Sequence, residues 1–381
     1  MRRLRLMLVG LAGLLVAVAA INWIVNPYGA WRPTVIDPSH RVDGTARGEA
    51  GERITTTYRI RADRPATVLV GSSRVVAGMY IERGARDGVL NAAMSGASLA
   101  EIGAILRLAA VNPRLQRVIW GVDFYAFDER FAGFRHPDMR VRLEGTEWQI
   151  AGMRIKETLL SLRALGDSLT VVRKAARGPR ESRFTAPVPW PEDVIRTRLG
   201  HPGRPGHAAA SAAALKAQLA DWVGNYTGYQ LSESQRAMFV GAVEDIRRDG
   251  AEVVLFVPPL SRCELEVIDR TSWDAFRAWK RQLLDAGPYW DFSGFGKLDR
   301  SDALFLDVAH VWPAVGHTML RQLLGLGCAG CGELADAVRA AGTWVDRSTI
   351  DAYLAEQETR RVAALTQSDR CARVVAEMLG R

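Results

Sequence analysis

The chain has 381 residues, 48% of them hydrophobic and 24% charged, enough to bury the core of one large α/β domain and too apolar for extensive disorder. A formal net charge of +8 would suit nucleic acid. The arginines are scattered, however, and no nucleic-acid-binding motif accompanies them, and an anionic envelope polymer or a lipid surface is an equally good electrostatic partner.

At the N-terminus Arg2, Arg3 and Arg5 precede an uncharged run from Leu6 to Val25, the length a helix needs to cross a bilayer. Trp23 and Tyr28 follow where an interfacial belt would lie, and the positive residues stay inside. The expected arrangement is a single-pass inner-membrane protein with its domain in the periplasm. Cleavage after Ala19 is the competing reading, disfavoured because apolarity continues through Ile21, Trp23, Ile24 and Val25. Residues 1–28 are therefore read as anchor or signal segment and 29–63 as a connector without sustained periodicity.

The run from Ala66 to Val70 ends at Gly71-Ser72-Ser73-Arg74 and reads as a buried parallel strand. In open α/β sheets chemistry sits at the carboxyl ends of strands, which makes Ser72 and Ser73 nucleophile candidates. In isolation such a pair reads first as a cap on the next helix. Gly88–Asn91 is a second strand. Ser98 with Glu101 forms a capping box for a helix carrying Ile102, Ile105, Leu106 and Leu108. Arg117–Asp123 is a third strand, and the rhythm predicts a parallel sheet with right-handed crossovers.

Residues 125–207 interrupt that rhythm. Ile155, Leu159, Leu162, Leu169 and Val172 fall near the spacing of one amphipathic helix, and a basic, proline-rich segment runs from Arg173 to Pro205. This insertion is read as a lid or substrate platform over the sheet, or equally as a solvated basic excursion. Then follow a helix from Ser232 to Arg248, the strand Glu252–Val257 stopped by Pro258-Pro259, a helical region through Trp273, Phe276, Trp279 and Leu283, and a last short strand at Tyr289–Phe292. The body is thus 64–330, followed by a helical tail over 331–381 in which Ile350, Tyr353, Leu354, Val362 and Leu365 pack.

Asp307 and His310 stand three apart on a loop before a helix, so one segment could deliver a base and the carboxylate that orients it, although in isolation the pair reads first as an ordinary loop with a capping acid. They lack further ligands at metal spacing. In an exported chain Cys328 and Cys331 would close a tight loop, with Cys263 and Cys371 as a second pair. Zinc would need another close pair of ligands. No metal or other cofactor is expected.

Gly71-Ser72-Ser73, Asn91 with Gly96, Gly121-Val122-Asp123 and Asp307-Val308-Ala309-His310 occur in the order of four sequence blocks, and the chain from Ala66 to Leu326 resembles the SGNH (GDSL-type) hydrolase superfamily. The resemblance implies a three-layer α/β/α, flavodoxin-like parallel sheet with a helical insertion. It implies Ser73 as nucleophile, His310 as base and Asp307 as orienting acid, with the Ser73 and Gly96 backbone N–H groups in the oxyanion hole. Ser72 replaces the family's Asp, and Asp123 stands where the family has an oxyanion Asn. Asp123 is either held protonated by burial or turned away to orient Arg74 or a backbone group, and the second is favoured because a carboxyl at an exposed strand end beside arginines stays charged. Membrane-anchored members with this layout acylate or acetylate envelope polymers. The implied function is a serine esterase or O-acyltransferase acting on an acylated envelope glycan or lipid. Asp123 and the basic insertion also fit a catalytically weak module that binds polysaccharide or scaffolds envelope-assembly partners.

Overall fold

The computed structural model describes residues 1–31, 48–79, 88–176, 212–296, 298–300, 302–326, 332–366 and 369–380. It is a mixed α/β structure in which many helices surround a six-stranded sheet of order β2-β1-β3-β4-β5-β6. The strands are β1 (Thr67–Val70), β2 (Val89–Asn91), β3 (Arg117–Gly121), β4 (Glu252–Val257), β5 (Tyr289–Asp291) and β6 (Thr343–Val345). All neighbours run parallel except β5 and β6.

Val68, Val70, Val118, Trp120, Leu255 and Val257 belong to one apolar cluster, whereas the intervening Leu69, Ile119 and Phe256 belong to a second. Adjacent residues of a strand face opposite ways, so both faces of the sheet are buried, and the strands read as continuous apolar runs.

In chain order, α1 (Arg2–Val25) is long and apolar enough to cross a membrane. Next comes α2 (Gly48–Asp63), in a stretch that the sequence presents as connector. Its buried residues mix Glu52, Arg53, Thr56 and Thr57 with Ile54, Tyr58 and Ile60, so no clean apolar period marks it. Arg53 forks onto Glu101 with both side chains fully buried, and Glu52 holds the backbone and hydroxyl of Ser95. Helices α3 (Ser73–Gly78) and α4 (Leu99–Ala110) follow, and both bonds of the Ser98/Glu101 capping box are made.

The insertion contributes α5 (Pro137–Glu144), α6 (Glu147–Thr158) and α7 (Leu162–Ala176). The single amphipathic helix expected here is two, because Ser161 accepts from the N–H groups of Arg163 and Ala164 and starts a new helix. Most of the basic, proline-rich segment lies outside the described residues. Helices α8 (Ala212–Tyr226), α9 (Glu233–Arg248) and α10 (Arg262–Gln282) complete the face shared with α4, and α11 (Pro313–Leu323) and α12 (Gly332–Ala341) share the other with α3.

The C-terminal region is more than a helical tail. It contains β6, which pairs antiparallel with β5 and sets Trp344 edge-on to Trp290 at 5.4 Å. Beyond it lie α13 (Ile350–Leu365) and α14 (Arg370–Met378). Ile350, Tyr353 and Leu354 are buried as expected, whereas Val362 is exposed. A disulfide joins Cys263 to Cys371, 108 residues apart, and fixes α14 to α10. The expected Cys328–Cys331 loop lies outside the described residues. Tyr28, expected in a lipid belt, is buried and donates to Asp167 at 2.6 Å.

Candidate active site

Residues 71–74 turn from β1 into α3. Gly71 has φ 149°, and a Cβ there would meet Val75 Cγ2 at 2.6 Å and the Gly121 carbonyl at 2.8 Å, so glycine is what lets the helix start so close to the strands. The next three side chains separate. Ser72 is buried and its hydroxyl accepts from the Arg74 N–H at 3.2 Å, capping α3. Ser73, the first residue of that helix, is half-buried, and its hydroxyl makes no hydrogen bond among the described residues. Arg74 runs inward and is buried.

The turn after β2 lies alongside. Met94 donates its N–H to the Gly71 carbonyl at 3.0 Å, and the Tyr125 hydroxyl donates to the Ala97 carbonyl at 3.3 Å. Gly96 sits in this turn with φ 59°, and its carbonyl accepts from Arg135 at 3.0 Å. Among the described residues the Gly96 and Ser73 backbone N–H groups have no acceptor. Asn91 is committed elsewhere. Its amide donates to the Val75 and Met79 carbonyls at 3.0 and 3.2 Å, closing the end of α3, and its oxygen accepts from Ala93.

Asp123 follows β3 and is buried, not exposed as the sequence reading had it. It forms an ion pair with Arg74, whose other terminal nitrogen pairs with Glu264 at 2.5 Å. Tyr226 donates to the same Glu264 oxygen at 2.8 Å, and the guanidinium lies 4.7 Å from the Trp222 ring centre. Burial lifts the Glu264 carboxyl above its ordinary range against the pull of Arg74, and the nearby Asp123 charge adds to the lift. Two carboxylates around one guanidinium make this a closed, charge-rich knot. The sequence reading missed Glu264, Tyr226 and Trp222. Only the spacing of Ser261 and Glu264, a capping signal, marked the first.

Asp307 and His310 lie between 3₁₀ turns and α11, on a loop closed by a bridge between Phe305 and Val311. His310 Nδ1 is 2.8 and 2.9 Å from the two Asp307 oxygens, so Nδ1 carries the proton and Nε2 is the acceptor. Asp307 also accepts from the Ala309 and His310 N–H groups at 2.9 and 3.0 Å. Burial raises the Asp307 pKa, but the bond from His310, its charge and these N–H groups outweigh that and leave the carboxyl below its ordinary range. Nε2 is buried and has no hydrogen-bond partner among the described residues, so no bond to Ser73 is formed.

Two contacts hold this loop against the rest of the site. Ser261 caps α10 by accepting from the Glu264 N–H and donates to the Val308 carbonyl at 2.5 Å. A Cβ on Gly78, in the helix that Ser73 opens, would meet Val311 at 3.1 Å. The structure thus brings residues 71–74, the Gly96 turn and Asp123 together, and the Asp307–His310 loop is tied to α3 and α10 beside them. A hydroxyl, an oriented imidazole nitrogen and two backbone N–H groups, all without a partner among the described residues, are the parts that acyl transfer needs. No protein-family model matches the chain, and no curated protein sequence matches it significantly.

Proposed function

We propose that the chain is a membrane-tethered, SGNH-like serine esterase or O-acyltransferase, with a three-layer flavodoxin-like body on the extracytoplasmic side, acting on an acylated envelope glycan or lipid. The observation that carries this reading is the His310–Asp307 pair, which leaves Nε2 buried, proton-accepting and unbonded. A buried nitrogen without a partner costs stability, and a role in a reaction accounts for keeping it. The strand order and the division of roles between Ser72 and Ser73 also support it.

In this mechanism Nε2 takes the Ser73 proton as Oγ attacks the acyl carbonyl, and the Ser73 and Gly96 N–H groups receive the oxyanion. The C–O bond to the leaving alcohol breaks as His310 returns the proton to it. Water or a sugar hydroxyl, deprotonated by His310, then resolves the acyl-enzyme and frees Ser73. Catalytic hydrogen bonds often tighten only with substrate, so the unmade Ser73–His310 bond is compatible with this cycle.

A fluorophosphonate probe tests it. Labelling of the wild type that disappears in Ser73→Ala is expected. Labelling that persists in Ser73→Ala overturns the assignment. One observation favours a second reading, a catalytically weak glycan-binding module: Asp123 is turned to Arg74 and offers the oxyanion no donor. That reading requires glycan binding without any probe labelling.

A further inference from the structure

Helix α7 leaves one stripe, an apolar one, open and buries a second. Leu162, Leu169 and Val172 remain 76%, 45% and 44% exposed. With Leu165 they recur at intervals of three and four and form one continuous stripe. Ala164, Ser168 and Val171 form the adjoining, fully buried stripe. That second stripe packs on α1. The Ser168 hydroxyl donates to Asn22 Oδ1 at 2.9 Å, the Asn22 amide donates to the Leu159 carbonyl at 2.8 Å, and Val171 meets Val25. The open stripe is therefore contiguous with the surface of α1, where Ile21 and Ile24 are exposed.

Next to the end of α1 a cavity of about 290 Å³ is lined by Ala30, Arg61 and Arg154, with Glu147 as its single acid. A helix of 15 residues is about 22 Å long, too short to cross a hydrocarbon core of about 30 Å. Short, two-faced helices of this kind lie in the plane of the lipid interface.

We propose that α7 lies on the bilayer beside α1, with Leu162, Leu169 and Val172 in the acyl boundary and the Arg61–Arg154 cavity facing the lipid phosphates. The anchor would then be a two-helix device that holds the body in a fixed orientation over the membrane, bringing the site to a surface-bound substrate. This rests on the reading of α1 as a retained span.

The test uses the full chain in vesicles of phosphatidylethanolamine and phosphatidylglycerol. An environment-sensitive fluorophore is attached at Leu169→Cys, at Leu15→Cys in α1 or at the exposed control Val362→Cys, each in a Cys328→Ser/Cys331→Ser background that keeps the Cys263–Cys371 disulfide. The label at Leu169→Cys is expected to lose fluorescence to lipids carrying a shallow nitroxide and to be spared by aqueous iodide, the reverse of the control. Quenching by iodide, or by neither reagent because protein covers the stripe, overturns the proposal. If the Leu15→Cys label is quenched by lipid and the Leu169→Cys label is not, the interfacial helix fails and the anchor stands. If neither is quenched by lipid, the anchor reading fails and takes the proposal with it.

Discussion

Two polar clusters lie within a few residues of one another at the strand ends and are built on opposite principles. Around Arg74 the charges face each other: Asp123 and Glu264 grip the guanidinium, Tyr226 donates to Glu264 and Trp222 covers the cation. Around Ser73 and His310 the atoms that the proposed mechanism uses have no hydrogen-bond partner among the described residues, while the groups behind them are held by Asp307, Ser261 and the α3 turn. The consecutive residues Ser72, Ser73 and Arg74 thus serve as cap, open hydroxyl and buried ion. Rigidity and reactivity are assigned to neighbouring side chains, and substitutions should separate them.

The largest effect belongs to the open cluster. Ser73→Ala and His310→Ala are each expected to lower kcat/KM for a small activated ester by about a thousandfold or more, because members of such a unit act together. Thermal unfolding of Ser73→Ala should match the wild type. A Ser73→Ala enzyme that retains activity would remove the contrast altogether.

Arg74→Met should act through folding. It leaves Asp123 and Glu264 buried without their counter-ion, and breaking a buried pair costs about 3–5 kcal/mol, read from urea unfolding. A change of a few tenths would mean that the knot is solvated and not closed.

Ser72→Ala should cost about 1 kcal/mol as a lost helix cap and leave most of the ester turnover intact. If turnover falls as far as in Ser73→Ala, the hydroxyls have been assigned the wrong way round.

The smallest effects are on pH dependence, and their signs are opposite. Asp307 has its folded pKa below the ordinary 3.8, so its contribution is complete above that value and is lost as pH falls through the folded value. Glu264 has its folded pKa above the ordinary 4.5, so its contribution is complete below 4.5 and is lost as pH rises through the folded value. Asp307→Asn should therefore flatten the acid limb of stability against pH, and Glu264→Gln the limb above 4.5. Urea titrations at a series of pH values in which both variants flatten the same limb would contradict this assignment.

The sequence by itself determined whatever a short window encodes. The β-branched runs at Thr67–Val70, Arg117–Gly121 and Glu252–Val257 are strands because both their faces are buried, and the Ser98/Glu101 box starts its helix as its spacing requires. Asp307 and His310 meet because they are three residues apart on one loop. The apolar helix at the N-terminus was equally legible.

Tertiary structure alone decided what depends on partners far along the chain. Helix α2 carries no clean apolar period because Glu52 and Arg53 are buried alongside Ile54, Tyr58 and Ile60, and burial of those two charges is affordable only where Ser95 and Glu101 meet them. Glu264 lies 190 residues from Arg74, a separation over which neither periodicity nor capping carries information, whereas the Cys263–Cys371 pair, 108 residues apart, was suggested by the cysteine count and is formed. Strand β6 has three residues, too few for a pattern, and exists because β5 offers it an edge. The local turn at Gly71 directs the Ser72 hydroxyl to the helix end and leaves that of Ser73 open, in keeping with the order that the family resemblance implied.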